Sequence, residues 1–186
     1  MSKKLHPSAI IPELNGITIG DFWAWAYSDT LNNRNRAIFA EFLVGTALGI
    51  LDKPRVEWDA YDLLYRDKKI EVKAAGFLQS WQQNDLSAIR FDIEAKKAWD
   101  ATANTYSVVP IRVSDCYVFC LHHEVDRKRV DVFDIAQWEF YVVGTEYINQ
   151  QFGQQKSIGL TLLRSIVNPV HYGDMKQAID KSLGFE

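Results

Sequence analysis

Residues 61–76 read YDLLYRDKKIEVKAAG, and the alternation in this stretch decides the fold. Successive side chains of a strand point to opposite faces, so Ile70, Val72 and Ala74 belong to one face and Glu71 and Lys73 to the other. Arg66-Asp67-Lys68 breaks the pattern as a charged turn, so two strands, 56–65 and 69–74, are expected to fold back on each other as a hairpin. A turn of two or four residues pairs Tyr65 with Lys68 or Ile70. In either register Asp62 comes to the face of Glu71 and Lys73. An odd-length loop would bring Asp59, or no carboxylate, to that place.

Upstream of the hairpin, residues 33–49 have helical character. Asn32 or Asn33 can cap the start, Ala, Leu and Phe dominate, and Gly49 can stop the helix ahead of Pro54. Glu41 is the one charged residue between Ala37 and Leu51. Helical spacing stacks it with Ala37, Ile38, Val44, Gly45 and Leu48 on an apolar stripe. A buried carboxylate costs several kcal/mol unless compensated, so Glu41 requires Arg34, Lys73 or another base as partner.

Downstream, a polar Gln-rich segment over 79–85 leads to an alternating strand at 88–93 and a short helix at 96–103. Further strands are expected at 116–121, 129–133 and 138–143, and a terminal helix at 176–183, ended by Gly184. This order predicts one α/β (α+β) domain over residues 1–186: a mixed sheet with helices packed against it.

Of the 186 residues, 47% are hydrophobic and 13% aromatic, with six Trp, which predicts a folded chain with a dense core. Lys and Arg total 21 against 24 Asp and Glu, so a polyanionic partner has to be met by a local basic patch. Four places offer one: Arg34 with Arg36; Arg66, Lys68, Lys69 and Lys73; Lys96 with Lys97; and Arg127-Lys128-Arg129. The apolar run 37–51 is shorter than the roughly 20 residues of a membrane helix, and the first residues hold no apolar signal segment, so the expectation is a cytoplasmic protein with no membrane partner. Cys116 and Cys120 share a strand face about 13 Å apart, too far for a disulfide. The same spacing opposes a zinc site with His122 and His123.

The pattern D-x(8)-E-x-K formed by Asp62, Glu71 and Lys73, preceded by the helix acid Glu41, resembles the PD-(D/E)XK phosphodiesterase superfamily. The resemblance covers about residues 33–95, with Tyr61 where that superfamily usually has proline. The W-D-x-Y-D, I-E-V-K and L-Q-S-W segments are also similar to those of a set of small bacterial proteins. The resemblance implies a restriction endonuclease-like mixed sheet and a nuclease that hydrolyses nucleic acid, DNA in the first instance. It implies Asp62, Glu71 and the Val72 carbonyl as ligands for Mg²⁺ (or Mn²⁺), and Glu41 as a supporting acid or a ligand to a second metal. Lys73 would orient the attacking water or stabilise the transition state, and Gln79 would bond the site or the substrate. Arg34, Arg36, Lys68 and Lys69 would meet the phosphates, with Trp81 stacking on a base, and a homodimer would supply the two sites that cutting a duplex needs. The alternative is a catalytically silent nucleic-acid-binding or structural module of the same fold, in which Glu41, Glu71 and Lys73 form a buried ion-pair network.

Overall fold

In the computed structural model, residues 3–57, 59–97, 99, 100, 105, 106 and 108–185 are described. The hairpin closes through a two-residue turn. Arg66 and Asp67 both have positive φ, 48° and 63°, as a type I′ turn requires, and Tyr65 pairs with Lys68. The strands are β1 (Leu63–Tyr65) and β2 (Lys68–Gly76). After them come β3 (Arg90–Asp92), β4 (Trp99–Asp100), β5 (Thr105–Tyr106), β6 (Cys116–His122), β7 (Trp138–Gly144) and β8 (Ser157–Gly159). A mixed sheet runs in the order β1-β2-β6-β7, with β2 parallel to β6 and the other two pairings antiparallel. Two small ribbons, β3-β8 and β4-β5, complete the strands.

The helices are α1 (Ile19–Tyr27), α2 (Asn33–Leu48), α3 (Thr145–Phe152), α4 (Leu160–Ile166) and α5 (Met175–Ser182). As the sequence predicts, the side chain of Asn32 caps α2 by accepting from the Arg34 amide, and Gly49 ends it at φ 70°. Helices α2 and α5 cover one face of the sheet, where Ala40, Leu43, Val44, Met175 and Ile179 pack on Ile70, Val72, Cys116, Val118 and Cys120. The opposite face carries Tyr117, Phe119, Leu121, Tyr141 and Val143 against Phe91, Ile148, Ile158 and Leu163. Strand β6 lies between the layers and is buried at every position. Its continuous apolar run is what parallel pairing and cover on both faces require. Both cysteines are free and buried in it. Among the described residues no helix is long and apolar enough to cross a membrane.

The fold class is therefore as expected, an α+β mixed sheet flanked by helices, but three expected elements differ. The first strand begins at Leu63 rather than at 56, because side chains take over the backbone bonds that a longer ladder would make. Asp59 accepts from the Ala60 amide, and Asp62 accepts from the Val72 amide of the neighbouring strand. The expected strand at 129–133 is a series of turns. Asp126, Asp131 and Asp134 each accept from an amide two residues on, those of Lys128, Phe133 and Ala136, the local competition that disfavours a ladder. The expected helix at 96–103 lies partly outside the described residues, at 98 and 101–103. Where it is described the backbone is extended: Lys96 bridges to Ile111 and Trp99-Asp100 forms β4.

Candidate active site

With Ile70 and Val72 taken into the layer under α2, Glu71 and Lys73 emerge on the opposite side of β2, towards β3. Lys73 Nζ donates to Glu71 Oε1 at 2.5 Å and Ser114 Oγ donates to Glu71 Oε2 at 3.1 Å. The two charged side chains are only 24% and 19% exposed.

Asp62 stands one residue ahead of β1. Its amide still donates to Ile70 O at 3.2 Å, and its Oδ2 accepts the Val72 amide at 2.7 Å. Amide groups of a strand lie in the plane of the sheet, so the Asp62 carboxylate meets β2 edge-on rather than from the face that Glu71 and Lys73 share. The N–H and C=O of one residue point to the same strand edge, so the Val72 carbonyl is turned to the same side.

Burial, and after it the charge of Glu71, push the Asp62 carboxyl up to about 6, against the opposing pull of the Val72 amide. Burial alone would lower Lys73, but its bond to Glu71, with the charges of Asp62 and Asp92 behind, holds the ammonium above its ordinary value. Lys73 is thus a fixed cation at neutral pH and not a general base.

Across from Lys73 stands Asp92. Phe91 and Ile93 enter the core at 2% and 1% exposure, Asp92 between them is exposed, and its charge reaches Lys73. Glu71, Lys73, Asp92, Lys96 and Tyr117 are among the residues around a cavity of about 70 Å³. Asp92 was within reach of sequence reading, since it is a polar position of the alternating run 88–93. Ser114 has no such signal.

Glu41 is buried, 7% exposed, and has the partner its burial demands, but that partner is Arg55. The guanidinium donates through Nε and Nη2 to both carboxylate oxygens, at 2.5 and 2.8 Å. Both oxygens of Glu41, expected as a supporting acid or second-metal ligand, are thus engaged by a cation. Glu41 and Asp62 line a separate recess of about 600 Å³ on the α2 side, together with Arg55, Asp59 and Tyr61. Arg55 sits in an irregular loop, where no periodicity marks it.

Gln79 and Arg36, expected at the site and at the phosphates, bond to each other and to the far end of β2. Arg36 is 1% exposed and donates to Leu78 O at 2.8 Å, to Gln79 Oε1 at 3.0 Å and to Asn33 Oδ1. Gln79 in turn donates to Gly76 O and Ser87 Oγ. Burial lowers Arg36 to about 10, so it stays a cation but is closed to any phosphate. Among the other basic candidates, Arg34 is exposed at the start of α2. Lys68 pairs with Asp115 at 3.1 Å, and Lys69 Nζ lies 5.4 Å from the centre of the Tyr61 ring. Trp81 is 55% exposed, with its carbonyl held by Arg127 at 2.6 Å.

Among the described residues no group of three or more His, Cys, Asp or Glu side chains is placed to hold a metal ion. A smaller donor set, Asp62, Glu71 and the edge carbonyl of Val72, has the oxygen chemistry that suits Mg²⁺, with Asp62 lining the recess on the α2 side and Glu71 the cavity towards β3. Mg²⁺ is characteristically bound by one or two carboxylates while keeping several waters, and the charge of Glu71, which adds to burial in raising Asp62, is what a cation held by both would offset. No protein-family model and no curated protein matches the chain.

Proposed function

We propose that this protein is a metal-dependent phosphodiesterase that hydrolyses nucleic acid, DNA in the first instance, with Mg²⁺ or Mn²⁺ as cofactor. The observation that supports the reading is the pairing of Asp62 with Glu71. Burial first and the charge of Glu71 second raise Asp62 to about 6, and a partly buried lysine, held above its ordinary value, is bonded to Glu71. A structural ion pair needs one acid and one base. The second acid is surplus to that need and is the arrangement that a divalent cation neutralises.

When bound, the cation would draw off the charge that builds on the phosphate oxygens during in-line displacement. Asp62 and Glu71 would hold it, Asp62 as the ionised carboxylate above about pH 6. Lys73, fixed by Glu71 and shielded from solvent, would stabilise the developing negative charge without a proton transfer, in a site where burial makes such an interaction stronger than in water. Ser114 keeps the Glu71 carboxylate oriented.

The test is incubation of the purified protein with single- and double-stranded DNA and RNA in Mg²⁺, Mn²⁺ or EDTA. Cleavage is expected with either metal, and a loss of at least 100-fold in Lys73→Ala and Glu71→Gln proteins whose circular dichroism is unchanged. Metal-independent binding with no cleavage by the unmodified protein would instead make it a silent binding module.

A further inference from the structure

The cavity between β2 and β3 has three cations at its wall besides its acids: Lys73, Arg112 and Lys96. Two of them are committed. Lys73 is bound to Glu71 and mostly buried. The guanidinium of Arg112 is consumed by the backbone: it donates to Ile93 O, Gly153 O and Gln155 O at 2.6, 2.9 and 3.1 Å and to Asn149 Oδ1 at 2.8 Å, stapling α3 to the segment after β3.

Lys96 is different. Its backbone is pinned by two hydrogen bonds to Ile111, at 3.1 and 2.9 Å, so the root of the side chain is rigid. Its Nζ rests on Asp92 Oδ2 at 2.7 Å in a pair whose side chains are 64% and 46% exposed. Ion pairs so exposed hold weakly and exchange readily. Asp92 itself is fixed, because its Oδ1 accepts the Glu94 amide at 2.9 Å. The wall thus holds a rigidly rooted cation, loosely stored on a fixed acid, at the rim of the recess that contains Glu71 and Lys73. A void of about 70 Å³ has room for a few water molecules or for one phosphate group in their place.

We propose that Lys96 is a phosphate-binding residue of this site, which exchanges Asp92 for a phosphodiester oxygen when a nucleic-acid strand enters the recess. This rests on the phosphodiesterase reading above. Asp92 acts through Lys96, keeping the ammonium at the rim and leaving it when the stronger acceptor arrives.

The experiment is fluorescence anisotropy of a labelled DNA oligonucleotide, single- and double-stranded, with Ca²⁺ in place of Mg²⁺ and over a series of salt concentrations. Lys96→Ala is expected to weaken binding about 3- to 10-fold and to lower the slope of log K against log salt by about one, as loss of a single phosphate contact does. Lys96→Arg is expected to restore both, and Asp92→Asn to tighten binding by removing the competing acceptor. Lys176→Ala, which breaks an exposed pair on α5, is the control and is expected to change neither. If the unmodified protein binds no oligonucleotide, the phosphodiesterase reading itself falls. If it binds and Lys96→Ala keeps both affinity and slope, the assignment of Lys96 is overturned and that reading stands.

Discussion

A carboxylate that is half-buried, feels the charge of a second carboxylate and yet accepts from an amide, as Asp62 does, gives folding a pH dependence of unusual sign. Burial and Glu71 lift its pKa to about 6 in the folded protein from an ordinary 3.8, so the native state holds its proton more tightly than the unfolded chain. The stabilisation is complete below the unfolded value and is lost as pH rises through about 6. A shift of this size corresponds to at most about 3 kcal/mol. Urea midpoints measured from pH 4 to 7 are therefore expected to fall for the unmodified protein relative to Asp62→Asn, whose amide oxygen can still accept from Val72. Parallel curves for the two proteins would show that Asp62 is not the group responsible. If Asp62 holds a divalent cation as proposed, MgCl₂ is expected to raise the midpoint above pH 6 and to have little effect at pH 4.5.

The turn between β1 and β2 places two non-glycine residues in the left-handed region, Arg66 and Asp67, each at a cost of about 1 kcal/mol. Arg66 has a compensation, since its guanidinium lies 5.2 Å from the ring centres of both Tyr65 and Phe185. For Asp67, replacement by glycine is expected to stabilise the protein by about 0.5–1 kcal/mol in chemical denaturation, and a loss would mean that the Asp67 side chain contributes a contact of its own. At this scale the hairpin, α2 and the terminal helix were legible because each carries a strong local signal: a period of two, an Asn cap with a Gly stop, a helical stretch closed by Gly184. The missed helices α3 and α4 have 8 and 7 residues, too few turns for a 3.6-residue period to stand out, while α1 has a Thr18–Asp21 capping box that was available to be read. Of the site, Glu71 and Lys73 were legible because two residues on one strand must share a face. Arg55, Ser114 and the fate of Gln79 were not, because a polar side chain's partner depends on chain that arrives from elsewhere: Arg36 finds the Leu78 carbonyl 42 residues away.

In the whole molecule, one four-stranded sheet is the floor of both apolar layers, since alternate residues of β6 feed each of them. Neither layer can be lost while the other remains intact, so urea unfolding followed by tryptophan fluorescence and by far-ultraviolet circular dichroism is expected to give coincident single transitions. Separated midpoints would show that the two faces come apart independently. Helix α1 stands outside this scheme, with no buried residue and with Trp25 84% exposed. The far end of β2 shows how the two sides of the sheet are kept in step. A methyl group on Gly76 would come within 2.5 Å of the Arg36 guanidinium, so that bare α-carbon is the notch in which the arginine seats, and the helix bearing it is indexed against the strand as a key is against its slot. Helix α2 cannot slip along β2 without unseating a charge from its two acceptors beyond the helix, Leu78 O and Gln79 Oε1, and the acid five residues further along the helix is held at a set distance from the hairpin's open end.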